Sequence, residues 1–239
     1  MSVEYDILYE DDNIVAVNKP SGMLTIPDRH NSDIFSLRSI LDKRFNKIFV
    51  VHRLDKDTSG IIVFAKNEIS HKYFSELFEN RKVEKIYLGL IVGKPIALEG
   101  KIDEPIAENH TKPGTMITHI KGKPALTHYR ILQTFPSYSL AEFNIQTGRT
   151  HQIRVHCKHI GHAIACDALY GDGAPVYLSH LKKKYKLSKD QLQEKPLLSR
   201  LALHSYKLSF KNTNGAELCL EAPLPKDIRA LINQLEKLK

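Results

Sequence analysis

Short apolar runs separated by turn-forming residues make up most of this chain, a pattern that predicts a strand-rich fold. Residues 84–93 are apolar and β-branched, as expected of a central strand. Residues 125–135 and 139–146 alternate apolar and polar positions, which predicts an antiparallel pair. A further pair is predicted to turn at Thr213-Asn214-Gly215. The remaining predicted strands are two within residues 5–20, joined at Asp11-Asp12-Asn13, and those at residues 60–66, 201–210 and 217–222.

Helical periodicity is confined to a few separate segments. A helix is predicted over residues 34–45, and another after Asn67, which can cap it. A third is predicted over residues 149–159, closed by Gly161, and an amphipathic C-terminal helix starts at Pro225. The apolar stripe predicted for the second helix consists of Ile69, Tyr73, Phe74, Leu77 and Phe78. Residues 104–123 are polar and are predicted to form a flexible loop.

The order of these elements indicates the fold class. Helices are scattered among strands without the regular alternation of a parallel sheet, so we expect an α+β fold around a mostly antiparallel, mixed sheet with flanking helices. The sequence contains neither an internal repeat nor a linker, which predicts a single domain over residues 1–239. Within it, residues 176–200 contain the run LKKKYKLSKD and are predicted to be a basic insertion.

Composition narrows the class of partner. The 239 residues are 42% apolar, enough for a substantial core, and 35 Lys and Arg outweigh 27 Asp and Glu to give a net charge of +8. Such an excess favours a polyanion, most often nucleic acid, although a merely soluble basic protein fits the charge equally well. Three irregularly spaced cysteines argue against a disulfide framework and favour a reducing compartment. The N-terminus is too acidic for a signal peptide and no segment is long enough to span a bilayer, so a cytoplasmic location is expected.

One stretch breaks the apolar pattern in an unusual way. VVHRLDKDTSGIIVFAK places Arg53 and Asp55 between two apolar runs. A carboxylate before Thr58-Ser59-Gly60 is either a turn residue that accepts hydrogen bonds from nearby amides or a functional group held at the end of a strand. Arg53 shares a face with Asp55 if the stretch is extended. The two could also form an ordinary surface ion pair.

A second unusual stretch is QTGRTHQIRVH, residues 146–156. If this stretch is a helix, its inward apolar stripe consists of Ile153, Cys157 and Ile160. His151 and Arg154 then lie on a neighbouring face. Cations near a helix N-terminus are unfavourable, so Arg149 and Arg154 suggest that an anion lies opposite, either a protein carboxylate or a phosphate. For Arg149 a solvated surface charge is the alternative.

Several familiar kinds of site do not fit the sequence. The histidines and cysteines of residues 151–166 lack the paired spacing of a zinc site. His52-Arg53-Leu54-Asp55 differs in order from a kinase catalytic loop, and neither a Walker motif nor a Rossmann fingerprint occurs. We therefore expect no metal and no nucleotide cofactor.

A signature and four further motifs, in order along the chain, give it a family resemblance. HRLDKDTSG, residues 52–60, resembles the signature of the RluA-type pseudouridine synthases. DDNIVAVNKPSGM precedes it, EKIYLGLIVG follows it, and TGRTHQIRVH with GHAIACDALYG completes the set. The resemblance covers nearly the whole chain. It implies a short form without the N-terminal RNA-binding domain that many members of the family carry.

The resemblance implies roles for particular residues. It makes Asp55 the catalytic nucleophile and gives Arg53 a part in displacing the target uridine from its stack. Tyr87, in the motif that begins at Lys85, would line the uracil pocket and act as the base. Arg154 would pair with the catalytic carboxylate. To substrate binding we assign, besides Arg53, the residues Arg149 and His151.

The implied reaction is the isomerisation of uridine to pseudouridine in ribosomal or transfer RNA. It needs no metal, nucleotide or redox cofactor, because nothing is oxidised and no group leaves the RNA. We expect a monomer with RNA as its partner and no DNA or membrane. Two other functions fit the charge: a non-catalytic RNA-binding module, which would not require Asp55, Tyr87 and Arg154 together, and a uracil-directed glycosylase, which would release free uracil.

Overall fold

The computed structural model describes residues 5–28, 35–182, 185 and 193–238. In chain order the elements are β1 (Asp6–Glu10), β2 (Ile14–Lys19), α1 (Leu37–Phe45), β3 (Phe49–Val50), β4 (Ser59–Ala65), α2 (Glu68–Glu79), β5 (Glu84–Val92), β6 (Glu99–Asp103), β7 (Ile106–Glu108), β8 (Met116–Thr118), β9 (Leu126–Thr134), β10 (Tyr138–Ile145), α3 (Gln152–His159), α4 (Leu178–Leu181), β11 (Leu203–Lys211), β12 (Glu217–Glu221) and α5 (Lys226–Glu236). Strands outnumber helices, as the apolar pattern predicted.

The chain divides into two compact units. The first comprises Met1–Tyr87, Asn144–Gln146 and His204–Pro223. The second comprises Leu88–Phe143, Thr147–Leu203 and Leu224–Lys239. This division follows the packing of the chain and does not test the expectation of a single domain, which stays a prediction.

The first unit is built on a mixed sheet. Its strands run in the order β1, β2, β4, β11, with β3 on β4 and β12 on β11. The β1–β2, β2–β4, β3–β4 and β11–β12 pairs are antiparallel, whereas β4 and β11 are parallel. Helix α2 covers one face, where its Phe74 and Leu77 join the buried core with Ile61 and Val63 of β4. Every residue of β4 is buried, so this strand is a rigid base for the segment before it.

In the second unit β9 pairs antiparallel with β6 and lies beside β10. The segment predicted to be a flexible loop, residues 104–123, instead contains the antiparallel pair β7–β8. That prediction was wrong because Ile106 is a core residue, only 2% exposed, packed with Ala125, Val155 and Tyr170. Tertiary burial of one isoleucine therefore orders a segment whose composition is polar.

Most sequence-predicted elements are present, with some shifts. Asn67 caps α2, and its side chain accepts a hydrogen bond from Ser70 N at 2.8 Å. Ile69 was wrongly placed in the apolar stripe of that helix, since it is 84% exposed in the first turn, ahead of the core contacts. Helix α1 begins only at Leu37, after the cap residue Ser36. The predicted antiparallel, mixed character and flanking helices of the fold are confirmed.

The predicted basic insertion is described only in part. Within residues 176–200 a short helix, α4, precedes Lys182. Lys183, Lys184 and Lys186 lie outside the described residues.

Candidate active site

In the first unit, the Asp55 segment forms a tight turn between β3 and β4. Thr58 N donates to Asp55 O at 3.2 Å, which closes the turn. Leu54 is buried, and the buried Thr25 fixes its backbone from both sides: Thr25 Oγ1 donates to Leu54 O at 2.8 Å and accepts from Leu54 N at 3.2 Å. Leu54 points into the core of this turn. Arg53 is exposed and Asp55 half-buried.

A buried lysine fixes the other half of the same turn. Lys19 is fully buried, and its ammonium group donates to Pro20 O at 3.0 Å, Met23 O at 2.8 Å and Lys56 O at 2.9 Å. Gly22 N also donates to Lys56 O, at 2.9 Å. A buried ammonium is stable only when its hydrogens have acceptors, and here three carbonyl groups supply them. The residue after Asp55 is therefore bound to the segment that follows β2.

Tyr87, at the first-unit end of β5, lies within the electrostatic reach of Asp55. It is buried, at 7% exposure. Burial raises the pKa of its hydroxyl, the Ser205 hydroxyl lowers it, and the Asp55 carboxylate raises it, with a net shift above the ordinary value. Tyr87 is consequently a neutral phenol at neutral pH. The structure thus brings two of the predicted catalytic residues into one unit.

His52, the first residue of the signature, has a structural environment. Its ring stacks on Phe78 with centroids 4.3 Å apart, and its Nε2 accepts from Val63 N at 3.0 Å. Burial, together with the nearby charge of Lys85, lowers the pKa of His52 to about 3. The ring is therefore neutral at physiological pH and supports the turn as a packing residue.

In the second unit, Arg154 forms a buried, two-point ion pair with Asp167. Arg154 Nε donates to Oδ2 and Nη2 to Oδ1, both at 2.8 Å, and the two residues are 3% and 1% exposed. Burial alone would raise the pKa of Asp167, but the bonds from Arg154 outweigh it and the net shift is downward. The ring of Tyr170 lies 5.0 Å from the guanidinium carbon. The anion predicted opposite this arginine is thus a protein carboxylate; pairing of Arg154 with Asp55 stays a prediction.

The turn before α3 is organised by Gln152. Gln152 Oε1 accepts from Thr147 Oγ1 at 2.6 Å and from Arg149 N at 3.1 Å. Its Nε2 donates to Leu126 O and Thr127 Oγ1, each at 3.0 Å. These four bonds keep residues 147–150 in a turn, so α3 begins at Gln152 and not, as predicted, at Arg149.

The predicted inward stripe of α3 was too narrow. Residues 152–157 are all buried, Arg154 and His156 included, because polar partners lie on the sides that a surface helix would expose to water. His156 is fully buried between Thr127 Oγ1 at 2.9 Å and the backbone carbonyl of Glu104 at 3.0 Å, and burial lowers its pKa.

The two predicted binding residues in this segment have different surroundings. His151 adopts a left-handed backbone, with φ of 55°, and its Nδ1 is 2.7 Å from the Tyr170 hydroxyl. The same hydroxyl accepts from Met116 N at 2.8 Å. Arg149 is half-buried, and its Nε donates to Pro124 O at 3.1 Å.

Arg149 also lines a cleft of the second unit. The cleft has a volume of ≈ 460 Å³, and Lys121 and Lys123 contribute two more cations to its walls. Glu108 is the one carboxylate among the described lining residues. The excess of positive charge suits an anion such as a phosphate.

The described residues contain no group of three or more His, Cys, Asp or Glu side chains that could hold a metal ion. Burial raises the pKa of Cys157 and brings that of Cys166 to about 11, so neither thiol is a ready ligand or nucleophile. Among the described helices none combines the length and apolarity that crossing a membrane requires.

Three structural contributors had not been singled out from the sequence. Thr25 and Lys19 hold the Asp55 turn, and Asp167 holds Arg154. Asp167 does lie in GHAIACDALYG, one of the motifs of the family resemblance, but the resemblance assigned no role to it. Lys19 likewise lies in DDNIVAVNKPSGM, whereas Thr25 carries no local signal, because its partner Leu54 is 29 residues away in sequence.

Comparison with known proteins gives consistent results. Residues 13–159 match a family model described as RNA pseudouridylate synthase. The chain is 34% identical over 236 residues to ribosomal large subunit pseudouridine synthase D of Neisseria meningitidis serogroup B, with 96% of this chain and 61% of that protein covered. It is 35% identical over 241 residues to the protein of the same name from Haemophilus ducreyi, covering 98% of this chain and 72% of the other. Less than two thirds of the Neisseria protein is therefore represented here.

A solved structure is also similar. The human RNA pseudouridylate synthase domain containing 4 superposes with a TM-score of 0.74 at 28% identity, covering 96% of this chain and 92% of that one. The likeness therefore extends well beyond the matched motifs.

Proposed function

The chain belongs to the RNA pseudouridylate synthase family, as its motifs predicted, and we propose that it isomerises uridine to pseudouridine in ribosomal RNA of the large subunit. The names of the curated relatives support this substrate, and transfer RNA is the second candidate that the test below includes. The observation that carries the proposal is the Asp55 turn. Its backbone is fixed by Thr25 and Lys19, and its carboxylate acts on the pKa of the buried Tyr87.

In the proposed reaction Asp55 is the nucleophile. Isomerisation breaks the bond between uracil N1 and ribose C1′, turns the ring and joins its C5 to C1′. A carboxylate suits this sequence because it can form a covalent bond with the substrate and leave again. Attack at C1′ and attack at ring C6 are both compatible with the proposal. Asp55 must be ionised to attack, and we assign to Arg154, whose guanidinium keeps its charge when buried, the stabilisation of that form.

Tyr87 is the proposed carrier of the C5 proton. Once C5 is bonded to C1′, it must lose its hydrogen to restore the uracil ring. Since Tyr87 is a neutral phenol at neutral pH, its oxygen takes up the C5 proton only as it passes its own proton on. The proposed acceptor is a water molecule at the pocket, which delivers the proton to solvent.

The proposed RNA contacts involve cations on the surface. A stacked base must be turned out of its helix or loop, at a cost of a few kcal/mol, before it reaches a buried pocket. The exposed Arg53 is proposed to fill the gap that the flipped base leaves. Arg149, His151 and the lysines of the adjacent cleft are proposed to bind phosphates, which offsets the cost of flipping.

The direct test is conversion in vitro. The purified protein and its Asp55→Ala variant are incubated with large-subunit ribosomal RNA and with transfer RNA, and pseudouridine is mapped after carbodiimide labelling. We expect site-specific pseudouridine with the unaltered chain only, no free uracil and no change in RNA mass. Release of uracil would identify a glycosylase, and binding without conversion of either RNA would identify a non-catalytic binding module.

A further inference from the structure

Ser205 occupies a fixed position in the first unit, next to the end of the Asp55 turn. In the parallel pairing of β4 and β11 it is the partner of Gly60, the residue that completes the signature. Gly60 has a φ of +114°, and a Cβ on it would come within 2.1 Å of the Ser205 carbonyl oxygen. The two backbones therefore approach as closely as a glycine permits. The position of residue 205 relative to the turn is set by the backbone and not by its own side chain.

The hydroxyl of Ser205 differs from its polar neighbours. Ser205 is fully buried, and among the described residues its Oγ has no hydrogen-bond partner of ordinary distance and angle. Beside it in β11, His204 is equally buried but well bonded, to Ser59 Oγ at 3.0 Å and to Ala222 O at 3.1 Å. A buried hydroxyl without a settled partner costs stability that an alanine would not. Such a group calls for a reason other than packing.

The polar group on which Ser205 acts is the Tyr87 hydroxyl. Tyr87 is buried in β5, the hydrogen-bonded neighbour of β11 in the sheet, and the Ser205 hydroxyl lowers the pKa of its phenol, opposite in sign to burial and to the charge of Asp55. Such an effect arises when a donor points at the phenol oxygen and so favours its charged form.

We propose that Ser205 is a positioning residue, whose buried hydroxyl orients the Tyr87 hydroxyl for proton transfer at the uracil. This inference rests on the proposed function, and specifically on the proton-carrying role of Tyr87. Ser205 donates its hydrogen to the phenol oxygen, and it stabilises the negative charge that develops there as Tyr87 gives up its proton. No net transfer to Ser205 occurs, and it does not touch the substrate.

The test compares Ser205→Ala with the unaltered chain in single-turnover pseudouridine formation across pH. We expect the rate constant to fall about tenfold, the effect of one moderate hydrogen bond made in the transition state. The KM for RNA should be unchanged, and Tm should stay the same or rise, because a poorly bonded buried hydroxyl is removed. If the rate rises with pH because Tyr87 loses its proton, that rise should move to higher pH in Ser205→Ala. The reason is that the Ser205 hydroxyl, which lowers the pKa of Tyr87, is absent. Ser205→Thr keeps the hydroxyl and should recover most of the rate.

Ser139→Ala is the matched control. Ser139 is also fully buried, but its hydroxyl has a settled partner, the carbonyl of Gly93 at 2.8 Å. Its loss should lower Tm and leave the rate constant unchanged. A Ser205→Ala variant with an unaltered rate and pH profile, or one whose rate loss Ser205→Thr does not restore, would overturn the inference. If the unaltered chain forms no pseudouridine, the proposed function fails instead, and this outcome is visible before any variant is measured.

Discussion

Asp55 and Arg154, the two charged residues at the centre of the proposed chemistry, are positioned in different ways. The bonds that fix the Asp55 turn involve its backbone and that of Leu54 and Lys56, and its side chain is half-buried. Arg154 is positioned through its side chain, which is buried and bound at two points by Asp167. A backbone-held residue can lose its side chain without losing its place. A residue held by an ion pair depends on the partner for the stability of the surrounding fold.

The largest effect is expected at Asp55, in activity alone. Asp55→Ala or Asp55→Asn should lower the single-turnover rate of pseudouridine formation by ~10⁴ or more, the scale on which removal of a covalent nucleophile acts. Because the turn is held through its backbone, Tm and RNA affinity should change little. Rate, Tm and a filter-binding isotherm measured on the same preparation check all three. If Asp55→Ala still forms pseudouridine, Asp55 is not the nucleophile. A large drop in Tm would show that the Asp55 turn depends on the side chain and not on its backbone bonds.

At Asp167 we expect the opposite outcome, a large loss of stability. Asp167→Asn removes the carboxylate that binds the buried guanidinium of Arg154 at two points, and breaking such a pair costs roughly 3–5 kcal/mol in the free energy of unfolding. The matched control is Asp227→Asn, which breaks a two-point pair with Arg200 that is more exposed, at 38% and 20% side-chain exposure. Because this pair remains in contact with water, it should contribute closer to the roughly 0–1 kcal/mol of a surface pair, and the control should lose far less. Urea unfolding at neutral pH compares them, and equal losses would contradict the role of burial.

The Asp167 pair also predicts a pH dependence. The folded pKa of Asp167 is lowered, so its contribution to stability is present above the unfolded value near 3.8 and is lost as pH falls through the folded pKa. The stability difference between the unaltered chain and Asp167→Asn should therefore be full at pH 7 and shrink in acid. A difference that stays constant down to the acid limit of the folded state would show that charge is not what Asp167 contributes.

Thr25 tests the backbone clamp of the turn with a smaller expected effect. Thr25→Val keeps the shape of the side chain but leaves the N–H and C=O of the buried Leu54 without this partner. We expect the free energy of unfolding to fall by about 1–3 kcal/mol, the cost of unsatisfied buried groups. The rate should fall as well, because Asp55 is adjacent. Thr25→Ser retains the hydroxyl and should restore both; a Thr25→Val enzyme with full rate would show that the clamp does not position Asp55.

Sequence reasoning succeeded where the signal was local or carried by a motif. Apolar runs predicted β4 and β5, the cap at Asn67 predicted the start of α2, and the signature pointed to Asp55 before any geometry was known. It failed where distant residues decide the outcome. The start of α3 depends on bonds from Gln152 to a strand about 25 residues earlier, and Ile106 orders β7 through contacts with three separate segments. Ser205 was invisible for the same reason, since only the close approach of its backbone to Gly60 shows where this residue lies.

Arg53 is expected to show the smallest and most selective effect. It is exposed and flanks the backbone-held turn, so Arg53→Ala should leave Tm unchanged. If its side chain replaces a flipped base in the stack, the loss of rate should be about tenfold on a folded stem-loop and much smaller on an unstructured oligonucleotide, where little unstacking is required. Lys56→Ala, which removes another exposed cation three residues along, controls for loss of charge and should affect both substrates alike. Equal losses for Arg53→Ala on the two RNAs would reduce its role to the same general attraction for phosphate.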